Sequence, residues 1–204
     1  MKLYNGLSAN GARVAIFLAE KEIELPTQVI DVIKGQTRTE EFLKVNSLGQ
    51  VPVLELDDGR CLAESIAICR YLEHLHPEPA LFGRTPEERA FIEMWARRME
   101  LGILSAIGDV ALHEFEFFKD RVDQIADYAA SRRRDFQKQL QWLDKELSDE
   151  RPFLAGEMFS IADIIGMSML IIVDFGRFDI PGELRQVKRW EASVRARPSF
   201  PKLP

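Results

Sequence analysis

A proline stands inside a run that otherwise reads as a β-strand: Gly49-Gln50-Val51-Pro52-Val53-Leu54. Proline has no N–H to give a sheet ladder, so a strand that carries one lies at an edge or starts from a special turn. An X–Pro bond is also the one common place for a cis peptide, which bares the backbone of the residue before it. Here that residue is Val51. Its N–H and C=O are then placed to pair with an extended peptide, as an added strand would. Twelve residues after the proline, Glu64-Ser65 opens an apolar run with helical spacing. The free N–H groups of a helix start attract a carboxylate. A peptide-like ligand with a carboxylate at one end suits both features. A proline-terminated edge strand followed by an ordinary helix cap accounts for the same residues without a ligand.

The chain has 204 residues, 46% hydrophobic and 29% charged, enough for one large or two small domains with a full core. The net charge of -6 leaves no basic footprint for nucleic acid. Cys61 and Cys69 form no CxxC pair, so neither a redox motif nor a zinc site is indicated. Cys69 falls among apolar helix residues and reads as a buried, inert thiol. His74 and His76 have no Cys or carboxylate cluster beside them, and no metal site is expected. Met1-Lys2-Leu3-Tyr4 runs directly into a strand, which predicts no signal peptide. The most apolar stretch, 161–175, contains Asp163 and Asp174 and is too short to span a bilayer. These features predict a reduced, cytoplasmic protein with no membrane partner.

Residues 1–75 alternate strand and helix signals. Lys2-Leu3-Tyr4 reads as a strand, and Asn5 to Gly11 as a turn-rich loop. Val14, Phe17 and Leu18 give helical spacing within 12–21. Gln28 to Val32 reads as a second strand. Thr37 with Glu40 resembles a capping box for a short helix through Phe42 and Leu43. Val53 to Leu56, the turn Asp57-Asp58-Gly59, and Arg60-Cys61-Leu62 form a predicted hairpin. Ser65 to Leu75 is a predicted helix with Ile66, Ile68, Cys69 and Leu72 inward. The order βαβαββα implies one parallel strand pair and an antiparallel edge.

After the Pro- and Gly-containing stretch that follows, strand signals vanish. Thr85, Pro86 and Glu88 make a helix start with a capping box. That helix carries Ile92, Trp95 and Met99 and extends past Ile103. A second helix is predicted over 122–147. Ser160 with Asp163 caps a third, apolar and central. Leu184, Val187, Trp190 and Val194 stripe a fourth, stopped by Pro198. Composition and periodicity thus predict a small α/β domain joined to a helical bundle.

This combination resembles the cytosolic glutathione transferases over essentially the whole chain. The resemblance is carried by Asn46-Ser47-Leu48-Gly49-Gln50-Val51-Pro52-Val53-Leu54, by Ala63-Glu64-Ser65-Ile66-Ala67-Ile68 with Tyr71-Leu72, and by Ser160-Ile161-Ala162-Asp163. Arg13-Val14-Ala15, Leu18-Ala19-Glu20-Lys21, Val53 to Gly59 and Arg98-Met99-Glu100-Leu101 are most similar to bacterial and fungal members. The resemblance implies a thioredoxin-like α/β domain over 1–76, a linker over 77–84 and an all-α helical bundle over 85–204. It further implies a homodimer active in detoxification, with glutathione as co-substrate and no metal.

By the same resemblance, Val51 before a cis Pro52 pairs its backbone with the cysteinyl residue of glutathione, with Gln50 in the same binding stretch. Glu64 and Ser65 hold the γ-glutamyl end. Physics agrees, since Ser65 supplies a hydroxyl and an N–H where the helix dipole favours an anion. The glycine carboxylate meets a basic or polar side chain from the loop before the second helix, where Arg38 is the candidate; a solvated loop arginine is the alternative. Thiol activation falls to Ser8 or Asn10 in the first loop. Failing both, it falls to His113 acting through a water, with Glu100 also within the bundle. Ser8 would serve equally as a plain helix cap, and Tyr4 reads as core. Leu7, Leu101, Leu104 and Phe115 are candidate walls for a hydrophobic electrophile between the domains. The first loop lacks the Ser-Ser-Cys of the isomerases and the Cys of the thiol transferases. A non-catalytic binding or interaction protein on the same scaffold is the alternative from another class.

Overall fold

The computed structural model describes residues 1–201. They form two compact units, one over Met1–Ala80 and one over Leu81–Phe200.

The first unit contains β1 (Lys2–Asn5), α1 (Ala9–Glu20), β2 (Thr27–Val29), α2 (Glu40–Val45), β3 (Val53–Glu55), β4 (Cys61–Leu62) and α3 (Ser65–Leu75). The sheet order is β2-β1-β3-β4, a thioredoxin-like arrangement. β1 runs parallel to β2 and antiparallel to β3, and β3 and β4 make the expected hairpin. Side chains alternate across a sheet. On one face Tyr4 and Val53 join Ile30, Phe42 and Val51 in a buried cluster, with the Phe42 ring of α2 edge-on to Tyr4. Leu3 and Leu54, one residue along, point to the opposite face and are fully buried.

Three local expectations are corrected. The second strand spans Thr27–Val29, not 28–32. Asp31 ends it: its carboxylate accepts the Lys34 N–H and its carbonyl the Gln36 N–H, turning the chain out of the sheet. The cap of α2 is Thr39, whose side chain accepts from the Phe42 N–H. Thr37 instead lies buried in a 3-10 turn over Gln36–Arg38 that follows the left-handed Gly35. Ile66 is half-buried; Ile68, Cys69 and Leu72 carry the inward face of α3.

The interface of α1 and α3 holds a polar seam that the apolar pattern does not show. Arg13 on α1 and Lys21 at its C-cap lie eight apart, as do Ser65 and Glu73 on α3. Arg13 Nη1 donates to Ser65 Oγ at 2.9 Å, and Lys21 Nζ meets Glu73 Oε2 at 2.6 Å. The constant offset makes the two helices parallel. Lys21 also donates to the carbonyls of His76 and Pro79 at 2.6 and 2.7 Å, so it holds the chain leaving α3. All four residues are buried. Removing one partner of a buried ion pair strands the other charge, at a cost of about 3–5 kcal/mol.

The second unit is all helical: α4 (Pro86–Arg97), a π-helical turn (Arg98–Leu104), α5 (Ser105–Glu114), α6 (Ala126–Glu146), α7 (Ile161–Gly176) and α8 (Arg185–Arg195). The helix starting at Thr85 has its capping box and runs on through the π segment to Glu114. The next helix starts at Ala126 rather than Val122. Gln124 donates to the carbonyls of Leu112 and Phe115, which ties the preceding residues to the end of α5. The predicted box at Ser160 and Asp163 forms. Asp163 is fully buried and takes four donors: the N–H groups of Leu154 and Ser160, the Ser160 hydroxyl and the Trp190 indole. Burial pushes its carboxyl up, while these donors pull the other way. Gly166 is required on α7, because a Cβ there would sit 2.5 Å from the buried Trp190 ring.

Among the described residues no helix is long and apolar enough to cross a membrane. Cys69 is buried against α1, and burial pushes its thiol up to about 12, whereas Cys61 is exposed. Only a thiolate reacts rapidly with a disulfide reagent. Ellman's reagent at neutral pH is therefore expected to titrate one thiol per chain in the native protein and two after unfolding. Two fast native thiols would contradict the packing of α3 on α1.

Candidate functional site

Four segments of the first unit are linked around Val51. The Val51–Pro52 bond is cis. Among the described residues neither backbone group of Val51 takes part in the β1–β3 ladder or in a turn hydrogen bond. The loop leading to it is organised by Asn46, which has no role in the sequence reading beyond belonging to the motif. Its side chain donates to the Gln50 carbonyl at 2.8 Å and accepts the Leu48 N–H at 3.1 Å, and its own carbonyl accepts the Gly49 N–H at 2.8 Å. Such self-bonding is what Asn does well in tight turns, and it was the available signal. Gln50 itself is exposed.

Gly49 has φ +62°, and a Cβ there would meet Arg38 Nη1 at 2.7 Å and the Thr37 carbonyl at 2.8 Å. Arg38 Nη1 also donates to the Leu48 carbonyl at 3.2 Å. The candidate cation thus lies against the turn that leads to Val51, with its head exposed.

The first loop borders the same place. Gly6 lies so close to Val51 that an added Cβ would be 3.5 Å from its side chain, and 2.5 Å from the Ile30 carbonyl. Ser8 is the N-cap of α1: its Oγ accepts the Gly11 N–H at 2.8 Å. A hydroxyl that accepts still owns its proton, so capping and donating to an anion are compatible. Asn10 is exposed on the first turn of α1, and its amide makes no hydrogen bond among the described residues. Tyr4 is buried, and its hydroxyl donates to Glu55 at 2.6 Å.

Glu64 and Ser65 start α3. Glu64 has φ +67°, a conformation that costs a non-glycine residue about 1–3 kcal/mol and is characteristic of functional sites. Its carboxylate makes no capping bond, so the first N–H groups of α3 have no side-chain partner there. Ser65 is buried beneath it on Arg13. α1 and α3 run parallel, so their positive ends, at Ser8 and Ser65, lie at one end of the unit.

His113 belongs to the second unit. Its Nδ1 accepts the N–H of Ile125 at 3.1 Å, and its ring lies edge-on to Tyr128. An imidazole nitrogen that accepts from an amide carries no proton, so the neutral ring carries its proton on Nε2. The same unit holds Glu100, paired with Arg97 at 2.9 Å. Of the candidate wall residues, Leu7 and Leu101 are 63% and 68% exposed, and Leu104 is buried. Phe115 stacks on Phe178 and touches Phe175. Among the described residues no group of three His, Cys, Asp or Glu is placed to hold a metal.

Comparison with known proteins gives the following. Residues 1–74 match the family model "Glutathione S-transferase, N-terminal domain", and residues 94–198 the model "Glutathione S-transferase, C-terminal domain". The chain is 36% identical over 196 residues to glutathione S-transferase 2 of Saccharomyces cerevisiae, covering 94% of this chain and 84% of that one. It is 30% identical over 195 residues to a probable maleylacetoacetate isomerase 1 of Drosophila melanogaster, covering 94% and 70%. Among solved structures, a glutathione S-transferase domain-containing protein of Marinobacter aquaeolei superposes with a TM-score of 0.91 at 37% identity, covering 98% of this chain and 100% of that one.

Replacing Gly49 by alanine forces a side chain into a left-handed conformation against the Thr37 backbone. The expected loss is about 2 kcal/mol of unfolding free energy, read from the urea midpoint. An unchanged midpoint would contradict the close approach of the Arg38 and Gly49 segments.

Proposed function

The chain belongs to the cytosolic glutathione S-transferase superfamily and is a glutathione S-transferase, and from that premise we propose that it adds the glutathione thiol to a hydrophobic electrophile. In this reading residues 1–76 bind glutathione and residues 85–204 supply the electrophile site. The enzyme works in detoxification as a cytoplasmic homodimer. The observation that carries the reading is the backbone of Val51, left outside the ladder beside two parallel helix starts that bear Ser8 and Ser65.

The proposed grip divides the tripeptide among three kinds of partner. Val51 pairs with the cysteinyl backbone as an added strand would. Ser65 offers a hydroxyl and an N–H to the γ-glutamyl carboxylate, Glu64 meets the ammonium, and Arg38 takes the glycine carboxylate. The thiol then has to ionise. A thiol with a reference value near 8.5 is a few per cent thiolate at pH 7, and lowering it by about two units takes roughly 2.7 kcal/mol. The Ser8 hydroxyl and the start of α1 supply that stabilisation. The thiol proton leaves to solvent. The thiolate pair forms the new C–S bond while the electrophile expels its leaving group or accepts the pair into its own π system. Asn10 is the alternative donor in the loop. His113 is the alternative in the bundle, where its tautomer would make it an N–H donor to a water.

An isomerase reading has the Drosophila relative in its favour. The first loop, Leu7-Ser8-Ala9-Asn10-Gly11, lacks the Ser-Ser-Cys expected of that activity. A non-catalytic binding protein remains the reading from another class, and retention of Val51, Pro52, Glu64 and Ser65 favours the enzyme over it.

Calorimetric titration with glutathione, paired with turnover of a chloronitrobenzene, tests the proposal. Ser8→Ala is expected to lower kcat on the order of 10-fold or more with a smaller change in glutathione affinity. Unchanged turnover in that variant would move the activator to Asn10 or His113. Binding without turnover across several electrophiles would favour the binding protein.

A further inference from the structure

From Val14 to Ala19 the residues of α1 are apolar without a break, so along that stretch the helix is apolar on every side. A helix of that kind is normally enclosed. Here Val14, Ile16, Phe17 and Leu18 are buried, but Ala15 and Ala19 are exposed. These two lie one turn apart on one face. β2 is the edge of the sheet and its three residues are exposed, so within the unit no further strand covers that side.

A cavity of about 540 Å³ lies between α1 and β2. Leu3 and Leu18 give it a buried apolar lining, and Ile23 and Leu25 add to it from the connection between helix and strand. The backbone fixes that connection. The left-handed Glu22 turns the chain at the end of α1, the Ile23 N–H donates to the Leu18 carbonyl at 2.9 Å, and the Leu3 N–H donates to the Pro26 carbonyl at 2.8 Å. The surface is thus preformed, and its volume falls in the range of small-molecule sites, about 300–1,000 Å³.

The polar part of the lining is Asn5, Glu24 and Thr27. The Asn5 amide is engaged with the first loop, donating to the Gly11 carbonyl and accepting the Gly6 N–H. Thr27 Oγ1 donates to the Leu25 carbonyl at 3.0 Å, which leaves its lone pairs free to accept. Glu24 is exposed and is the one charged residue of the lining. Among the described residues its carboxylate makes no hydrogen bond or ion pair. Lys21, at the end of α1, is buried and spent on Glu73 and two carbonyls.

We propose that this cavity is a second ligand site, sharing no residue with the one assigned to glutathione, and that it takes a small apolar amine. The hydrocarbon part lies against Leu3, Leu18, Ile23 and Leu25, in room left by the bare methyls of Ala15 and Ala19. The ammonium meets the Glu24 carboxylate and the Thr27 hydroxyl oxygen. An anion of the same shape is repelled by Glu24, and a neutral analogue loses the charge-assisted bond. β2 gives an incoming protein strand only three residues to extend, which favours a small molecule as occupant.

Equilibrium dialysis against naphthylethylamine tests the proposal, with naphthylethanol and naphthylacetate as the neutral and anionic counterparts. The protein is saturated with glutathione, and the dialysis is repeated without it, so the inference stands or falls apart from the glutathione reading. Saturable binding of one amine per chain is expected in both. The alcohol should bind about 3-fold more weakly, in line with the modest worth of an exposed charge pair, and the acid more weakly still. Glu24→Gln is expected to bring amine and alcohol to equal affinity. Ala19→Leu fills the cavity at an exposed helical position that leucine suits. It is expected to weaken amine binding about 10-fold or more, with glutathione affinity and thermal midpoint unchanged. Ala15→Leu is the second filling variant. Absence of saturable binding, an acid bound as tightly as the amine, or an amine affinity unchanged in both filling variants would overturn the inference. So would a wild type that self-associates and is dispersed by those variants, since a second copy would then be the occupant.

Discussion

Two cations buried on one helix face two polar residues on its parallel neighbour, and the geometry of the first unit follows from that seam. Arg13 and Lys21 are eight residues apart, as are Ser65 and Glu73. Eight residues are a little over two turns, so each pair lies on one face. Matching the pairs sets helix direction and register together. A seam of leucines would bury the same area but would tolerate a slip by a turn. A buried charge set against the wrong residue does not, because the stranded group costs several kcal/mol. The Lys21–Glu73 pair lies at the far end, where Lys21 also holds the carbonyls of His76 and Pro79. The Arg13–Ser65 bond lies at the other end, where chemistry is proposed.

Parallel helices bring their N-terminal ends together. α1 follows the strand β1 and α3 follows the hairpin strand β4, so both starts emerge beside the turn at Val51. Each start has its own dipole and free N–H groups, and each carries a serine. Gly49 and Glu64 both have positive φ and shape the chain on either side. Glycine adopts that conformation without strain, and the Asn46 bonds fix the loop it sits in. Glu64 adopts it at a cost that persists where surrounding bonds over-determine it, and the Arg13–Ser65 bond anchors the residue that follows. The proposed site thus draws on backbone groups and small hydroxyls rather than on a cluster of titratable side chains.

Much of this was legible in the sequence. The strand and helix order, the hairpin, the parallel pair and the caps at Thr85 and Ser160 follow from periodicity and local cap chemistry, both encoded within a few residues. The cap of α2 was misplaced by two residues because Thr37 and Thr39 both precede Glu residues at plausible spacings. Only the turn following Gly35 decides between them. The second strand ended early because the reach of the Asp31 carboxylate is not a hydropathy signal. The polar seam was invisible for a related reason. Arg and Lys read as surface residues, and only the matched eight-residue spacings on two segments more than fifty residues apart hint at a buried pairing. The motif residues Val51, Pro52, Glu64 and Ser65 stood out by the proline in a strand run, by the helix start and by resemblance. Asn46 was readable as a turn former through its local bonds, whereas Arg13 acts through a distant partner that a single sequence does not reveal.

The central claim is that the Val51 backbone and the Ser65 hydroxyl grip opposite parts of one tripeptide. A crystal structure of the protein with glutathione bound tests it most directly. The account predicts antiparallel N–H···O bonds between Val51 and the cysteinyl residue, and the γ-glutamyl carboxylate within about 3 Å of Ser65 Oγ while Arg13 keeps its bond to that oxygen. Glutathione bound elsewhere, or bound here with Ser65 turned away from the carboxylate, would contradict it.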